Sequence, residues 1–179
     1  MNTTPLTATK KSYKVNELIG MRGGNIRILS GYCLLMHLTT YDDYNGVGLL
    51  KSGDVISASM FDNFEEAGFY LRALTSLEIE VVSDSMEFSA LSQLATLRKI
   101  ANLSVELGKS RRVSEKLEAF LIYCQKEQDS NQKELSFRIN QNDLASIVGS
   151  TRVTITRTLA KMQQTGKIKM INKRIEIGV

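Results

Sequence analysis

Gln141-Asn-Asp-Leu-Ala-Ser-Ile-Val-Gly149-Ser-Thr-Arg-Val-Thr-Ile-Thr-Arg-Thr-Leu159 is the stretch whose reading decides the fold. Leu144, Ala145 and Val148 give a first short helix its apolar side. Gly149 follows where the chain must turn, and glycine takes a positive φ cheaply. Ala145 is small where two helices must approach closely. Ile155, Leu159 and Met162 recur at helical spacing and make the inner stripe of a second helix. At roughly 100° per residue, Arg152, Val153, Thr156, Arg157 and Ala160 fall on the opposite side. Two guanidinium groups flanking small or apolar positions suit a major groove. Arginine bonds guanine bidentately, and small apolar groups meet a thymine methyl. The pattern predicts a helix-turn-helix whose second helix reads DNA.

The flanks agree. Arg112-Val-Ser-Glu-Lys-Leu-Glu-Ala-Phe-Leu-Ile-Tyr-Cys124 sets Leu117, Phe120, Leu121 and Cys124 on one helical face. Residues 126–133 read as a polar loop, and Leu135-Ser-Phe-Arg-Ile139 alternates like a strand. Asn140 stands where it can cap the first helix of the motif. Thr165-Gly166 breaks the second helix. Asn172-Lys173 separates two alternating segments and predicts a two-stranded wing.

Gly149-Ser-Thr-Arg-Val-Thr-Ile-Thr-Arg157 resembles the recognition helix of the CRP/FNR superfamily of bacterial transcription factors. Within it the string is most similar to the cyanobacterial global nitrogen regulator (NtcA) branch. The 112–124 segment resembles the first helix of that family's DNA-binding domain, and Gly166-Lys-Ile-Lys-Met-Ile-Asn-Lys-Arg-Ile-Glu-Ile177 resembles its wing. Leu50-Lys-Ser-Gly-Asp-Val-Ile56 and Leu71-Arg-Ala-Leu-Thr-Ser-Leu-Glu-Ile79 are similar to late strands of its sensor barrel.

The resemblance implies an α+β chain in three parts. Residues 1–84 would form an N-terminal β-barrel of truncated cupin-like, cyclic-nucleotide-binding type. Residues 85–110 would be a long dimerisation helix, and residues 111–179 a C-terminal winged helix-turn-helix. It implies a cytoplasmic homodimer that binds a palindromic operator on double-stranded DNA, with RNA polymerase or a protein coactivator as a further partner. On this reading Arg152 and Arg157 contact bases, with Val153 and Thr156 beside them. Val153 stands where many relatives carry glutamate, which favours half-sites resembling GTA…TAC. Asn140, Asn142, Ser150, Thr151 and Thr154 offer donors to phosphates. Lys169, Lys173 and Arg174 are wing candidates for backbone contact.

Composition sets the bounds. A chain of 179 residues can bury a real core. No apolar run approaches the roughly 20 residues needed to span a bilayer, and the N-terminus lacks the pattern of a secretory signal. Cys33 and Cys124 lie far apart with no CxxC motif, which predicts buried thiols of a reducing cytoplasm. The net charge of +4 hides an asymmetry. Residues 1–108 carry 9 Lys/Arg against 12 Asp/Glu, whereas residues 109–179 carry 14 against 7. The basic excess thus sits with the helix-turn-helix, as phosphate neutralisation requires.

Upstream, residues 1–12 read as a loose polar tail. From Tyr13 to Val82, short apolar runs are broken at Gly23-Gly24, Ser30-Gly31, Asn45-Gly46 and Ser52-Gly53-Asp54, which predicts an antiparallel meander or barrel. That barrel is short, because the early strands have little sequence to occupy. From Ser85, with Asp84 able to help cap it, a helix of about 23 residues and roughly 34 Å is predicted. Leu91, Leu94, Leu97, Ala101 and Val105 lie along one stripe; Ile100, Leu103 and Leu107 lie along another. Two stripes require two partners: the chain's own barrel and the same helix of a second copy. Ala101, Ser104 and Gly108 permit close approach, and Ser110-Arg-Arg-Val113 forms a hinge.

Enzyme chemistry is not evident. The single histidine, His37, sits in a predicted strand without an acid–base partner. Phosphate-loop, dinucleotide and nucleophile-elbow motifs are missing, and Asp42-Asp43 reads as solvated charge at a hairpin tip. No metal or cofactor is expected. The resemblance places effector-binding residues at positions matching Ala58 and Ala67, which can hold neither a cyclic nucleotide nor 2-oxoglutarate. Arg72 is the arginine that could substitute. Two alternatives stay open: a dimeric interaction module whose degenerate barrel binds a partner regulator or coactivator, and a sensor of an unidentified small molecule.

Overall fold

Short runs of leucine and β-branched residues, ended by glycine or Asx turns, build eight strands among the described residues of the N-terminal half. The computed structural model describes residues 8–21, 25–39, 43–57, 60, 68–82, 90–128 and 133–178. The strands are β1 (Ala8–Tyr13), β2 (Leu18–Gly20), β3 (Asn25–Ser30), β4 (Tyr32–Leu38), β5 (Tyr44–Lys51), β6 (Val55–Ser57), β7 (Phe69–Ala73) and β8 (Leu77–Val82). They form two four-stranded sheets, ordered β1-β8-β3-β6 and β2-β7-β4-β5. Apart from β4 and β5, neighbours in space are not neighbours in sequence. The arrangement is therefore jelly-roll-like, and the meander reading is corrected.

The early strands are present, though β2 has only three residues. Residues 8–12, read as tail, belong to β1. This strand pairs with β8 from Ala8↔Val82 to Tyr13↔Leu77, while the side chains of residues 8–12 stay exposed. Backbone pairing of that kind leaves no hydrophobic alternation to read. Asn45-Gly46 lies inside β5 and not at a turn. The hairpin closes earlier, where the Thr39 N–H donates to the Asp43 carbonyl at 2.8 Å. Asp42 lies outside the described residues, as do Ala58 and Ala67. Gly31, between β3 and β4, has φ +92°, and any Cβ there would press on the Ser76 carbonyl and the Thr75 hydroxyl. Leu34, Leu35, Leu50, Ile56, Leu71 and Leu77 are fully buried.

Helix α1 (Ala90–Gly108) has 19 residues, about 28 Å by its rise. Residues 83–89, with the expected cap at Ser85, lie outside the described residues. The two stripes separate as expected. Ile100 and Leu103 are buried, whereas Leu91, Leu94 and Val105 are 77%, 58% and 59% exposed. Leu97 is half-buried and Ala101 exposed. Two polar side chains join the inner stripe. Thr96 is buried and accepts the Val55 N–H at 3.1 Å. The Lys99 ammonium donates to both Asp54 oxygens at 3.0 and 2.7 Å, and Asp54 also accepts the Lys51 N–H at 2.8 Å.

Contacts group the chain into two compact units: residues 1–44 with 49–100, and residues 45–48 with 101–179. The second holds α2 (Val113–Glu127), α3 (Gln141–Val148), α4 (Arg152–Gln164) and the hairpin β9 (Ile168–Ile171)–β10 (Arg174–Ile177). Leu117, Phe120, Leu121 and Cys124 are buried on α2. The strand expected over Leu135–Ile139 reduces to one bridge, Glu134↔Glu176. Its burial still alternates through Leu135 and Phe137. Buried Gln128 explains the difference: its Oε1 accepts the Ser136 N–H and hydroxyl, each at 2.9 Å, and its Nε2 donates to the Glu134 carbonyl. That side chain takes the backbone groups a ladder would use. Among the described residues, no helix is long and apolar enough to cross a membrane, and no cluster of His, Cys, Asp and Glu could hold a metal.

Candidate nucleic-acid interface

The motif is assembled by local capping. Asn140 precedes α3; its Oδ1 accepts the Asp143 N–H at 2.8 Å and its Nδ2 donates to the Asp143 carboxylate at 2.6 Å. Gly149 ends α3 at φ +67°, its N–H returning to the Ala145 carbonyl. The Ser150 N–H reaches the same carbonyl at 2.9 Å. Thr151 then caps α4 by accepting the Thr154 N–H at 3.2 Å. Sequence reading placed Asn140, Thr151 and Thr154 as phosphate donors; the structure engages all three in caps, an arrangement that orients the helix ends. Asn142 is exposed and Ser150 half-buried on the turn.

Ile155, Leu159 and Met162 anchor α4 in the core. The opposite side presents Arg152, Val153, Thr156, Arg157 and Ala160 to solvent, with Val153 58% exposed. The first turn carries no acidic residue. Among the described residues, no ion pair engages the side chain of Arg152 or Arg157. Arg152 opens α4 and Arg157 follows in its second turn, so both exposed guanidinium groups can meet an anion or an electron-rich base edge.

Beside α4 runs a groove of about 690 Å³, lined among others by Arg112, Ser114, Thr154, Arg157, Lys161 and Lys167. Lys167 pairs with Glu118 across it at 2.6 Å. Arg112 and Lys161 were not singled out from sequence. The spacing of four between Arg157 and Lys161 on one helix was the available signal.

The wing turns at Asn172 and Lys173, with φ 50° and 65°, the paired left-handed conformation of a two-residue hairpin. Ile168 pairs with Ile177 and Met170 with Ile175. Lys169 and Lys173 are exposed. Arg174 lies 3.4 Å from Glu134, an exposed and weak pair. A cavity of about 530 Å³ joins Lys173 and Arg174 to Arg138, which sequence reading also passed over.

In the N-terminal unit, Arg72 sits in β7 between Leu18 and Leu34 in register. His37 packs its ring on Phe69 at 4.8 Å. Cys33 and Cys124 are free and buried. Burial pushes both thiols up, with Asp54 adding to the effect at Cys33 and Glu127 at Cys124. Neither is set up as a nucleophile.

Residues 115–178 match the Crp-like helix-turn-helix domain family. No curated protein matches the chain. Among solved structures, FixK2 from Bradyrhizobium japonicum is similar with a TM-score of 0.72 at 17% identity, over 96% of this chain and 93% of that one. TTHA1359, a CRP/FNR-family transcriptional regulator from Thermus thermophilus, is similar with a TM-score of 0.71 at 17% identity, over 94% and 93%. CLP from Xanthomonas campestris, a c-di-GMP-responsive global regulator, is similar with a TM-score of 0.68 at 19% identity, over 96% and 94%. The chain thus carries a Crp-like helix-turn-helix domain and has the fold of CRP/FNR regulators. Of these three, TTHA1359 and CLP are described as regulators.

Proposed function

We propose that this chain is a DNA-binding transcription regulator of CRP/FNR type that grips a two-fold operator as a homodimer. The observation that carries the reading is the outward side of α4. Its inner stripe is locked in the core, while Arg152, Val153 and Arg157 stand exposed, with no carboxylate among the described residues paired to either arginine. A recognition helix needs this division between an anchored face and an unpartnered basic one. The 14 Lys/Arg of residues 109–179 supply the phosphate attraction, and Lys169, Lys173 and Arg138 extend it along the wing.

Dimerisation rests on α1. Leu91, Leu94 and Val105 are too exposed to serve the protomer's own core, and a second copy of α1 would cover them isologously. Two recognition helices would then meet half-sites about one helical turn, roughly 34 Å, apart. Val153 in place of an acidic residue supports nitrogen-regulator-type half-sites. Alanine at positions 58 and 67 supports regulation without cyclic AMP or 2-oxoglutarate. The direct test is a gel-shift titration on a site selected from random DNA. Arg157→Ala should weaken the selected site by about 1–3 kcal/mol and relax preference at one position per half-site. Unchanged affinity and preference would refute the assignment of α4 as the reading helix.

A further inference from the structure

Thr156 lies on the outward side of α4, between Val153 and Arg157 in sequence, and its hydroxyl has two neighbours. One is the Arg152 carbonyl at 2.9 Å, the other the side-chain amide of Gln141, the first residue of α3, at 2.6 Å. A threonine hydroxyl has one proton, so it cannot donate to both. The shorter contact takes it: 2.6 Å suits O–H···O and is short for N–H···O, so the hydroxyl donates to the Gln141 Oε1, with the Arg152 carbonyl beside it at 2.9 Å.

The arrangement has a chemical consequence. The Gln141 Oε1 accepts the hydroxyl and keeps a second lone pair, while the amide N–H donors remain available. A carboxamide offering one donor and one acceptor matches N7 and N6 of adenine in the major groove. The amide is also held before DNA arrives, so less side-chain freedom is lost on contact.

We propose that Gln141, fixed by Thr156, is a specificity-determining residue that reads an adenine beside the bases contacted from α4. This rests on α4 being the recognition helix, but it adds a reader from the first helix of the motif. That helix ordinarily crosses the DNA backbone.

The test uses the full chain and operators selected from randomised DNA. The wild-type protein should select an adenine within the half-site. Replacing that base by 7-deazaadenine, which lacks the N7 acceptor, should weaken binding about tenfold. Gln141→Ala should select no base at that position and be indifferent to the deaza substitution, while still discriminating at the position read by Arg157. Thr156→Val should lose most of the adenine preference, and Thr156→Ser, which keeps the hydroxyl, should restore it. Circular dichroism melts should show each variant folded; Gln141 is half-buried at a helix start, so Gln141→Glu provides a second folded variant lacking the donor. If the wild type selects a site and Gln141→Ala selects the same one, the proposal falls and the regulator reading stands. If the wild type selects no sequence, both fall.

Discussion

Leu94→Glu is the perturbation that probes assembly most sharply. The side chain is 58% exposed in the single chain, so its replacement removes little that the protomer needs. Fully burying a leucine is worth about 1.5–3 kcal/mol. Covering the 58% that faces solvent is therefore worth about 1–1.7 kcal/mol per protomer. A two-fold interface counts the residue twice, giving about 2–3.5 kcal/mol, and places two carboxylates on the seam. At about 1.4 kcal/mol per decade, the dimer Kd should rise at least about 30- to 300-fold. Sedimentation velocity across a concentration series measures this directly. The melting curve of the monomeric variant should show an intact fold. Leu103→Ala is the contrasting control: that residue is 1% exposed, so its truncation should cost about 2–5 kcal/mol of folding stability. A wild-type chain that sediments as a monomer at micromolar concentration, or a Leu94→Glu variant that dimerises as tightly as wild type, would refute the reasoning.

Three further outcomes follow from named groups. Lys173→Gly removes a cation from a backbone already at φ 65°; all DNA sequences should bind more weakly alike, with the salt slope reduced by about 1 and no loss of melting temperature. Calorimetry should show no saturable isotherm for cyclic AMP or 2-oxoglutarate at millimolar concentration, since burying such an anion calls for charge-assisted bonds that alanines 58 and 67 cannot make; an isotherm abolished by Arg72→Ala would overturn this. Burial raises both cysteine thiols above their ordinary range, so the unfolded chain loses these protons first as pH rises. Their contribution to stability should be complete below about pH 8.5 and decline above it, and neither should react with a thiol reagent at neutral pH while the chain is folded; rapid labelling of either would contradict the burial.

The second unit was legible because its determinants are local. The stripe Ile155–Leu159–Met162, the left-handed Gly149, the Asn140 cap and the Asn172-Lys173 turn each span a few residues. The exposed stripe of α1 was legible for the same reason. Its inner face was not, because Thr96 and Lys99 are polar and find their partners some 40 positions away, at Val55 and Asp54. Strand β1 escaped notice because pairing with β8 uses only its backbone. The strand expected at Leu135–Ile139 was displaced by one glutamine whose reach no periodicity records. Gln141 is the most instructive omission. At the start of α3 it reads as a solvated polar residue, and Thr156 reads as a small one on a helix face. They meet only because the turn at Gly149 folds α3 back on α4, bringing residues 15 apart to 2.6 Å. A helix wheel drawn for α4 alone contains Thr156 but not its partner. A base-reading surface built from two helices is therefore under-counted whenever one helix is read at a time. If Gln141 reads adenine, the half-site preference inferred from Arg152, Val153 and Arg157 is incomplete by the base pair that Gln141 contacts.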